Sequence, residues 1–287
     1  MPFFRRASVY SARVAAIEDL EAIRSLLDHS WRCYSGDLPP TLTWHGEAGL
    51  TWVVSASRDI LGMMSAELRS FSIATIVAAA VGNGETAARC ADALLPLAET
   101  ALRARGVSAL AHIGNAPWLT EMLGAHGFRT RQTVVTYGWN AYPLQVGGDL
   151  SITVQPARSR HLDEVAVLDR RIFDPIWHKP ASELQRAFTR ASEFTVATDA
   201  DRVVGYQWNE RNETHGHLTR LAVNPDWQSR GVGTRLFTET LSGMVEAGLT
   251  WITLNTQTDN VHSRTLYERY GFQIVGQPMP VMWKDLS

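Results

Sequence analysis

The stretch that decides the fold is QSRGVGTRL, residues 228–236. Two glycines stand one residue apart between two arginines, directly after HLTRLAVNPDW (217–227). HLTRLAV reads as a strand. VGTRLFTETLSGMVEAG reads as a helix, because Val232, Leu236, Leu241, Met244 and Val245 recur at helical spacing and Gly248 falls where a C-cap belongs. A strand therefore runs through a glycine loop into a helix. The first turn of a helix carries unpaired N–H groups and a partial positive charge, so backbone alone can hold an anion there. Gly231 and Gly233 permit close approach, and Arg230 adds charge. No Gly-Lys-Ser/Thr follows and G-x-G-x-x-G is incomplete, so this is neither a Walker loop nor a dinucleotide fingerprint. For GVG alone, a tight turn into a helix is the preferred reading.

Outward from the loop, ITVQPA (from Ile152) reads as a strand and SRHLDEVAVLDRRIF as a helix with Ser159 as N-cap. EFTVATDADRVVGYQWNE and THGHLTRLAVNP read as an antiparallel meander with turns at 199–201 and 209–212. LTWITLNTQ is a strand, VHSRTLYERY a helix ended by Gly271, and FQIVGQ a strand. The first half repeats this order in ARVAAIEDLEAIRSLL, TWVVSASRDILGMMSAEL, IATIVAAAVG, ETAARCADALLPLAETALRARGVSALAHIG and TEMLGAHGFR. Two copies of one fold are expected. The fold class is α/β (an α+β mixed sheet), each copy a mostly antiparallel mixed sheet flanked by helices. NAYPLQVGGDLS (140–151), with Pro143, Gly147 and Gly148, suits a linker, giving units 1–145 and 151–287.

The composition is that of a soluble globular chain: 287 residues, 45% hydrophobic and 20% charged. A net charge of −2 gives no electrostatic case for nucleic acid or anionic membrane as partner. Cys33 and Cys90 fit no metal spacing and no disulfide framework, so no metal is expected and a reducing, cytoplasmic setting is. No signal peptide is evident at the start, and the apolar run from Ile73 is too short to span a bilayer.

Two linked motifs then stand in order: LAVNPDWQSRGVGTRL and TDNVHSRTLYERYGF. Together they resemble the GNAT superfamily of acyl-CoA N-acyltransferases over roughly residues 152–287. LAVNPDWQSRGVGTRL is similar to that family's Q/R-x-x-G-x-G/A loop, with Gln228, Gly231 and Gly233. TDNVHSRTLYERYGF is similar to its Asn then Leu-Tyr-Glu…Gly-Phe motif, with Asn260, Leu266, Tyr267, Glu268, Gly271 and Phe272. The resemblance implies acetyl-CoA as co-substrate, its pyrophosphate held by the loop from Gln228 through Ser229, Arg230, Gly231, Val232, Gly233 and Thr234. It implies that Leu221, Ala222 and Val223 offer backbone to the pantetheine arm, that Asn260 and Ser263 line the same site, and that Tyr267 protonates the leaving thiolate. A phenol of ordinary pKa, near 10, suits that role; the plainer reading of Tyr267 is a core aromatic.

For the general base the resemblance points to the position of His217, and histidine titrates in the right range. An exposed strand-end histidine is the plainer reading. Glu210 is a further candidate whose plainer reading is a solvated turn charge, and Asn255 stands where other members carry a glutamate. In the first half, Gln228, Gly231 and Gly233 fall on Thr86, Arg89 and Ala91 when Gly106 is matched to Gly248. Tyr267 falls on Leu123 when Phe128 is matched to Phe272. The first unit is thus expected to be degenerate, without a cofactor loop. On the acceptor side, RRIFDPIWHKPASEL places Phe173, Asp174, Trp177 and His178 on a Pro-bounded loop suited to a cationic amine, or simply anchored in the core. Trp208 and Trp227 are further candidates for the cleft wall.

The expected activity is transfer of an acetyl group to a primary amine of a small molecule, peptide or protein by direct attack in a ternary complex. Two alternatives stay open: a tandem acetyltransferase resembling the mycothiol synthases, and a CoA-binding sensor without catalysis. Oligomeric state has no sequence signal.

Overall fold

The computed structural model describes residues 10–36, 50–56 and 59–287. It divides into two compact units, Met1–Thr133 with Met279–Ser287, and Val134–Pro278. The glycine linker of 140–151 lies inside the second unit by this division, because the strand before it pairs there.

The first unit runs β1 (Ser11–Val14), α1 (Leu20–His29), β2 (Arg32–Ser35), β3 (Thr51–Ala56), β4 (Asp59–Leu68), β5 (Ile73–Val81), α2 (Ala87–Arg103), β6 (Ala109–Ile113) and α3 (Pro117–Ala125). Then come β7 (Arg129–Asn140), β8 (Thr153–Pro156), α4 (Leu162–Ile172), α5 (Ala181–Arg190), β9 (Glu193–Asp199), β10 (Arg202–Arg211), β11 (His215–Val223), α6 (Val232–Glu246), β12 (Trp251–Gln257), α7 (Val261–Arg269) and β13 (Gln273–Asp285). In the first unit the strand order is β1-β3-β4-β5-β6-β13, with β2 also on β5; in the second it is β7-β12-β11-β10-β9-β8. Each is a mixed sheet flanked by helices; among the described residues β5 pairs in parallel with β6, and β11 with β12.

The alternation read from the sequence accounts for these elements. α6 buries Val232, Leu236, Phe237, Leu241 and Met244 as one stripe. Phe237, Leu241 and Met244 pack with Tyr137, Trp139, Ile252, Leu254, Tyr267 and Phe272, and Val232 and Leu236 pack with Ile152, Ala197, Val204 and Val223. The other face of the second sheet carries Val165 and Leu168 of α4 against Val196, Tyr206 and Trp208. Each such side chain fully buried contributes about 1.5–3 kcal/mol. The first unit has an equivalent core of Trp52, Ile76, Leu95, Leu102, Leu110 and Leu119.

Two local expectations need correction. Ser159 is not the N-cap of α4: it lies in a short 3-10 turn, Ser159–His161, ahead of the helix. His161 Nδ1 accepts the Arg158 N–H at 3.1 Å and takes the place of a cap. The turn placed at 209–212 begins later, because Asn209 and Arg211 still pair in the β10–β11 ladder. Among the described residues no helix is long and apolar enough to cross a membrane.

Candidate active site

The site is a parting of strands. β11 pairs with β12 only from His215↔Trp251 to Leu218↔Leu254. Yet β12 continues against β7 as far as Gln257↔Val134, and β11 against β10 as far as Gly205↔Val223. Past Leu218 the two parallel strands diverge while each keeps its other neighbour. The cause is a bulge. The register slips between Trp208 and Asn209, leaving Thr219 as an extra residue on β11, and a bulge bends and twists its strand. Ala222 and Val223 bury their side chains and Leu221 is half-buried, so what this edge offers is backbone.

Below the gap lies the loop. Asn224 Oδ1 accepts the Asp226 N–H at 3.1 Å and closes the turn Pro225–Trp227. Gln228 Nε2 donates to Val223 O at 3.2 Å, tying loop to strand. Ser229 and Gly231 take positive φ, 59° and 85°. Gly231 is the N-cap of α6 and makes no side-chain cap. Among the described residues, the N–H groups of 229–234 meet no acceptor; the first helical bond is Arg235 N to Gly231 O at 2.9 Å. This row of bare donors stands at the positive end of a 15-residue helix, an arrangement that favours an anion. A Cβ at Gly231 would lie 2.8 Å from Asp149 N, whereas one at Gly233 would meet only Val223 Cγ2 at 3.5 Å. Arg230 is exposed, its guanidinium 5.2 Å from the Trp227 ring centre.

Tyr267, on α7, is buried among Phe237 (5.2 Å between ring centres), Tyr137 (6.0 Å) and Phe272 (6.3 Å). Burial pushes its hydroxyl up to about 12, partly offset by a hydrogen bond from Ser263, so the expectation of an ordinary value near 10 is corrected. At neutral pH this phenol firmly holds its proton. Asn260 caps α7, its Oδ1 accepting the Ser263 N–H at 3.2 Å. Its oxygen is thus committed to the helix, and Ser263 faces Tyr267.

His217 is half-buried at the last paired rows before the gap. Its Nδ1 lies 2.8 Å from Thr253 Oγ1, and that hydroxyl donates to Gly216 O at 3.4 Å. A hydroxyl whose hydrogen is so directed suits the His217 tautomer that carries its proton on Nδ1. Glu210, an exposed residue, is the cross-strand partner of His217 in the β10–β11 ladder. Asn255 Oδ1 accepts from Thr136 Oγ1 at 2.8 Å.

At loop 173–179, expected to face the acceptor, the sequence missed the anchor. Asp169 is wholly buried and accepts from Arg220 Nη2 (2.5 Å), Arg220 Nε (3.0 Å), Tyr206 Oη (2.5 Å) and Lys179 N (3.0 Å). Arg220 also donates to Trp177 O at 2.8 Å and lies 3.4 Å from the Phe173 ring centre. One buried ion pair thus fastens loop 173–179 to β11 beside the bulge. Its signal was an arginine in an apolar strand, HLTRLAV, since a buried charge requires a partner. Phe173 and Trp177 are half-buried on that loop, and Asp174 Oδ1 accepts from Ile176 N at 3.4 Å. Trp208 is corrected: it is 2% exposed, stacked on Tyr206 in the core, because β10 is covered on both faces.

In the first unit α2 starts at Ala87 with Thr86 as N-cap. Thr86 therefore stands where Gly231 stands in the second unit, three residues earlier than glycine matching placed it. Leu123 is the seventh residue of α3, as Tyr267 is of α7.

Comparison with known proteins agrees with this geometry. Residues 162–272 match the Acetyltransferase (GNAT) family. A mycothiol acetyltransferase of Actinosynnema mirum is 31% identical over 144 residues, 45% of this chain and 46% of that protein. One from Propionibacterium freudenreichii is 23% identical over 256 residues, 81% of this chain and 78% of that protein. The match thus spans about half the length of the first relative and more of the other. A tandem GNAT protein from the clavulanic acid biosynthesis pathway superposes with a TM-score of 0.64 over 97% of this chain and 99% of its own, at 15% identity, a likeness of fold alone. The chain carries a GNAT-family acetyltransferase domain in residues 162–272 and has the fold of a tandem GNAT protein.

Proposed function

We propose that the second unit transfers an acetyl group from acetyl-CoA to a primary amine by direct attack in a ternary complex. The observation that carries this is the row of bare N–H groups at 229–234 directly below the gap between β11 and β12. The loop would hold the pyrophosphate, and the free edge at 221–223 would pair with the amides of the pantetheine arm. The acceptor nitrogen attacks the thioester carbon, forming the C–N bond and an oxyanion. As the intermediate collapses the C–S bond breaks, and the Tyr267 hydroxyl gives its proton to the thiolate. Desolvation that raises Tyr267 raises a neighbouring thiol too, so their match is kept. His217 Nε2 takes the proton the amine must lose, and solvent returns one to Tyr267.

The acceptor enters past loop 173–179, where Phe173 and Trp177 offer aromatic faces and Asp174 a carboxylate. One relative named mycothiol acetyltransferase aligns over 256 residues, 81% of this chain, and favours a narrower alternative, in which the acceptor is a mycothiol-type cysteinyl amine. Free Cys33 and Cys90 suit a reducing cytoplasm. Thiol release from acetyl-CoA over a panel of amines, cysteinyl amines included, tests the proposal. Amine-dependent release is expected; saturable acetyl-CoA binding with no release on any amine would make the unit a sensor instead.

A further inference from the structure

The first unit has the same pair of parting strands, and there the gap is filled. β5 and β6 pair in parallel only from Ile73↔Ala109 to Ile76↔His112. β5 then continues to Val81 with β4 on one side. On its other side, the side that β11 leaves open, β5 pairs antiparallel with β2: Ser35↔Ala78, Tyr34↔Ala79, Cys33↔Ala80 and Arg32↔Val81. Gly36 N donates to Val77 O at 2.9 Å, so the alternation of the ladder turns the N–H groups of Ala79 and Val81 toward β2.

Tyr34 closes the far side of the gap. Its hydroxyl donates to Ile113 O at 2.8 Å, and its ring meets His112 edge-on at 4.6 Å between centres. A Cβ at Gly114 would lie 2.9 Å from the Tyr34 ring, so glycine makes room for this contact. His112 is fully buried beneath it, against the backbone of Ile76. Burial holds it neutral, pulling it down to about 4. The start of β2 is pinned as well: Trp31 N donates to Asn83 Oδ1 (2.9 Å) and Asn83 Nδ2 to His29 O (3.1 Å).

The helix start is closed in the same manner. Thr86 Oγ1 accepts the Arg89 N–H at 3.3 Å, and the Glu85 carboxylate, bonded by the Tyr10 hydroxyl, stands just before it. A hydroxyl caps the start of α2, where α6 has no side-chain cap.

We infer that β2 is a built-in occupant of the first unit's groove, an extended peptide lying along β5 where an acyl-pantetheine arm would lie. An antiparallel strand and a pantetheine arm offer the same chemistry to a bare strand edge, amide N–H and C=O groups in extended array. Being part of the chain, β2 binds at high effective concentration and excludes a free ligand. The first unit is thereby held closed without nucleotide and takes no acyl-CoA. The inference rests on reading the gap between β11 and β12 as the acyl-CoA groove.

Hydrogen exchange by mass spectrometry on the full chain, with and without saturating acetyl-CoA, tests it. Peptides covering 77–82 should exchange slowly without acetyl-CoA and stay unchanged when it is added, while 219–223 slows. Tyr34→Pro removes a ladder N–H and the ring, and should speed exchange in 77–82 about tenfold or more while leaving the response of 219–223 intact. Rapid exchange of 77–82 in the unaltered protein, slowing of 77–82 by acetyl-CoA, or no change in a folded Tyr34→Pro would overturn the inference. If that variant does not fold, the unaltered protein decides. Protection at 77–82 with no response at 219–223 would instead sink the proposed function and leave the closure standing.

Discussion

Replacing Gly231 by alanine tests the loop's backbone and the segment packed on it together. At φ 85° an alanine is in the left-handed region, which costs about 1–2 kcal/mol. Its Cβ would also lie 2.8 Å from Asp149 N, a backbone atom that must move; overpacking of this kind costs roughly 1–3 kcal/mol. Together these lower the melting temperature of the second unit by roughly 5–15 °C. Displacing the loop misaligns the bare N–H groups. Losing one charge-assisted bond costs about 1.5–3 kcal/mol, so the Kd for acetyl-CoA should rise roughly ten- to hundredfold. Gly233→Ala is the control that separates folding from binding. Its Cβ meets only Val223 Cγ2 at 3.5 Å, and alanine in a helix gains up to about 1 kcal/mol over glycine. That variant should melt no lower than the parent and keep its acetyl-CoA affinity, because alanine is accepted at this place in the motif and its methyl group makes only ordinary contact. Calorimetric titration and differential scanning calorimetry on both variants read the two effects. Unchanged acetyl-CoA affinity in Gly231→Ala would refute the assignment of the loop backbone to the pyrophosphate.

Tyr267→Phe keeps the buried ring and removes the proton; it should lower kcat by roughly a hundredfold or more with acetyl-CoA affinity nearly intact, in steady-state kinetics beside titration. For His217→Gln, the acidic limb of the pH–rate profile should disappear, and its persistence would remove His217 as the base. Glu193→Gln should be more stable than the parent at pH 7 in thermal melts. Burial holds the Glu193 carboxyl above the ordinary range, with the Asn209 amide working against that shift. A raised carboxyl contributes its full stability below the unfolded pKa and loses it as pH rises through the folded one. The advantage of the variant should therefore shrink as pH falls toward 4.

The sequence disclosed what is local. Gln228, Gly231 and Gly233 stand within one turn, Asn260 and Tyr267 share one helix, and helical spacing in α6 named its buried stripe, Val232, Leu236, Leu241 and Met244. Its silences concern contacts between distant segments. Nothing in RCYS signals that β2 leaves its neighbours to pair with Ala78 to Val81, and no pattern marks Thr219 as the extra residue that parts β11 from β12. Arg220 could be noticed as a charge in an apolar run, but its partner Asp169 lies 51 residues away. Trp208 misled because a tryptophan can line a pocket or fill a core with equal ease, and only a strand covered on both faces decides between them.

Everything proposed for this chain depends on a single acyl-CoA site, at the gap between β11 and β12. A crystal structure of the full chain grown with acetyl-CoA measures it directly. One bound molecule is expected, its pyrophosphate on the N–H groups of 229–234, its arm along 221–223 and its sulfur toward Tyr267. A pyrophosphate at the start of α2, or an arm lying along β5 in place of β2, would contradict it.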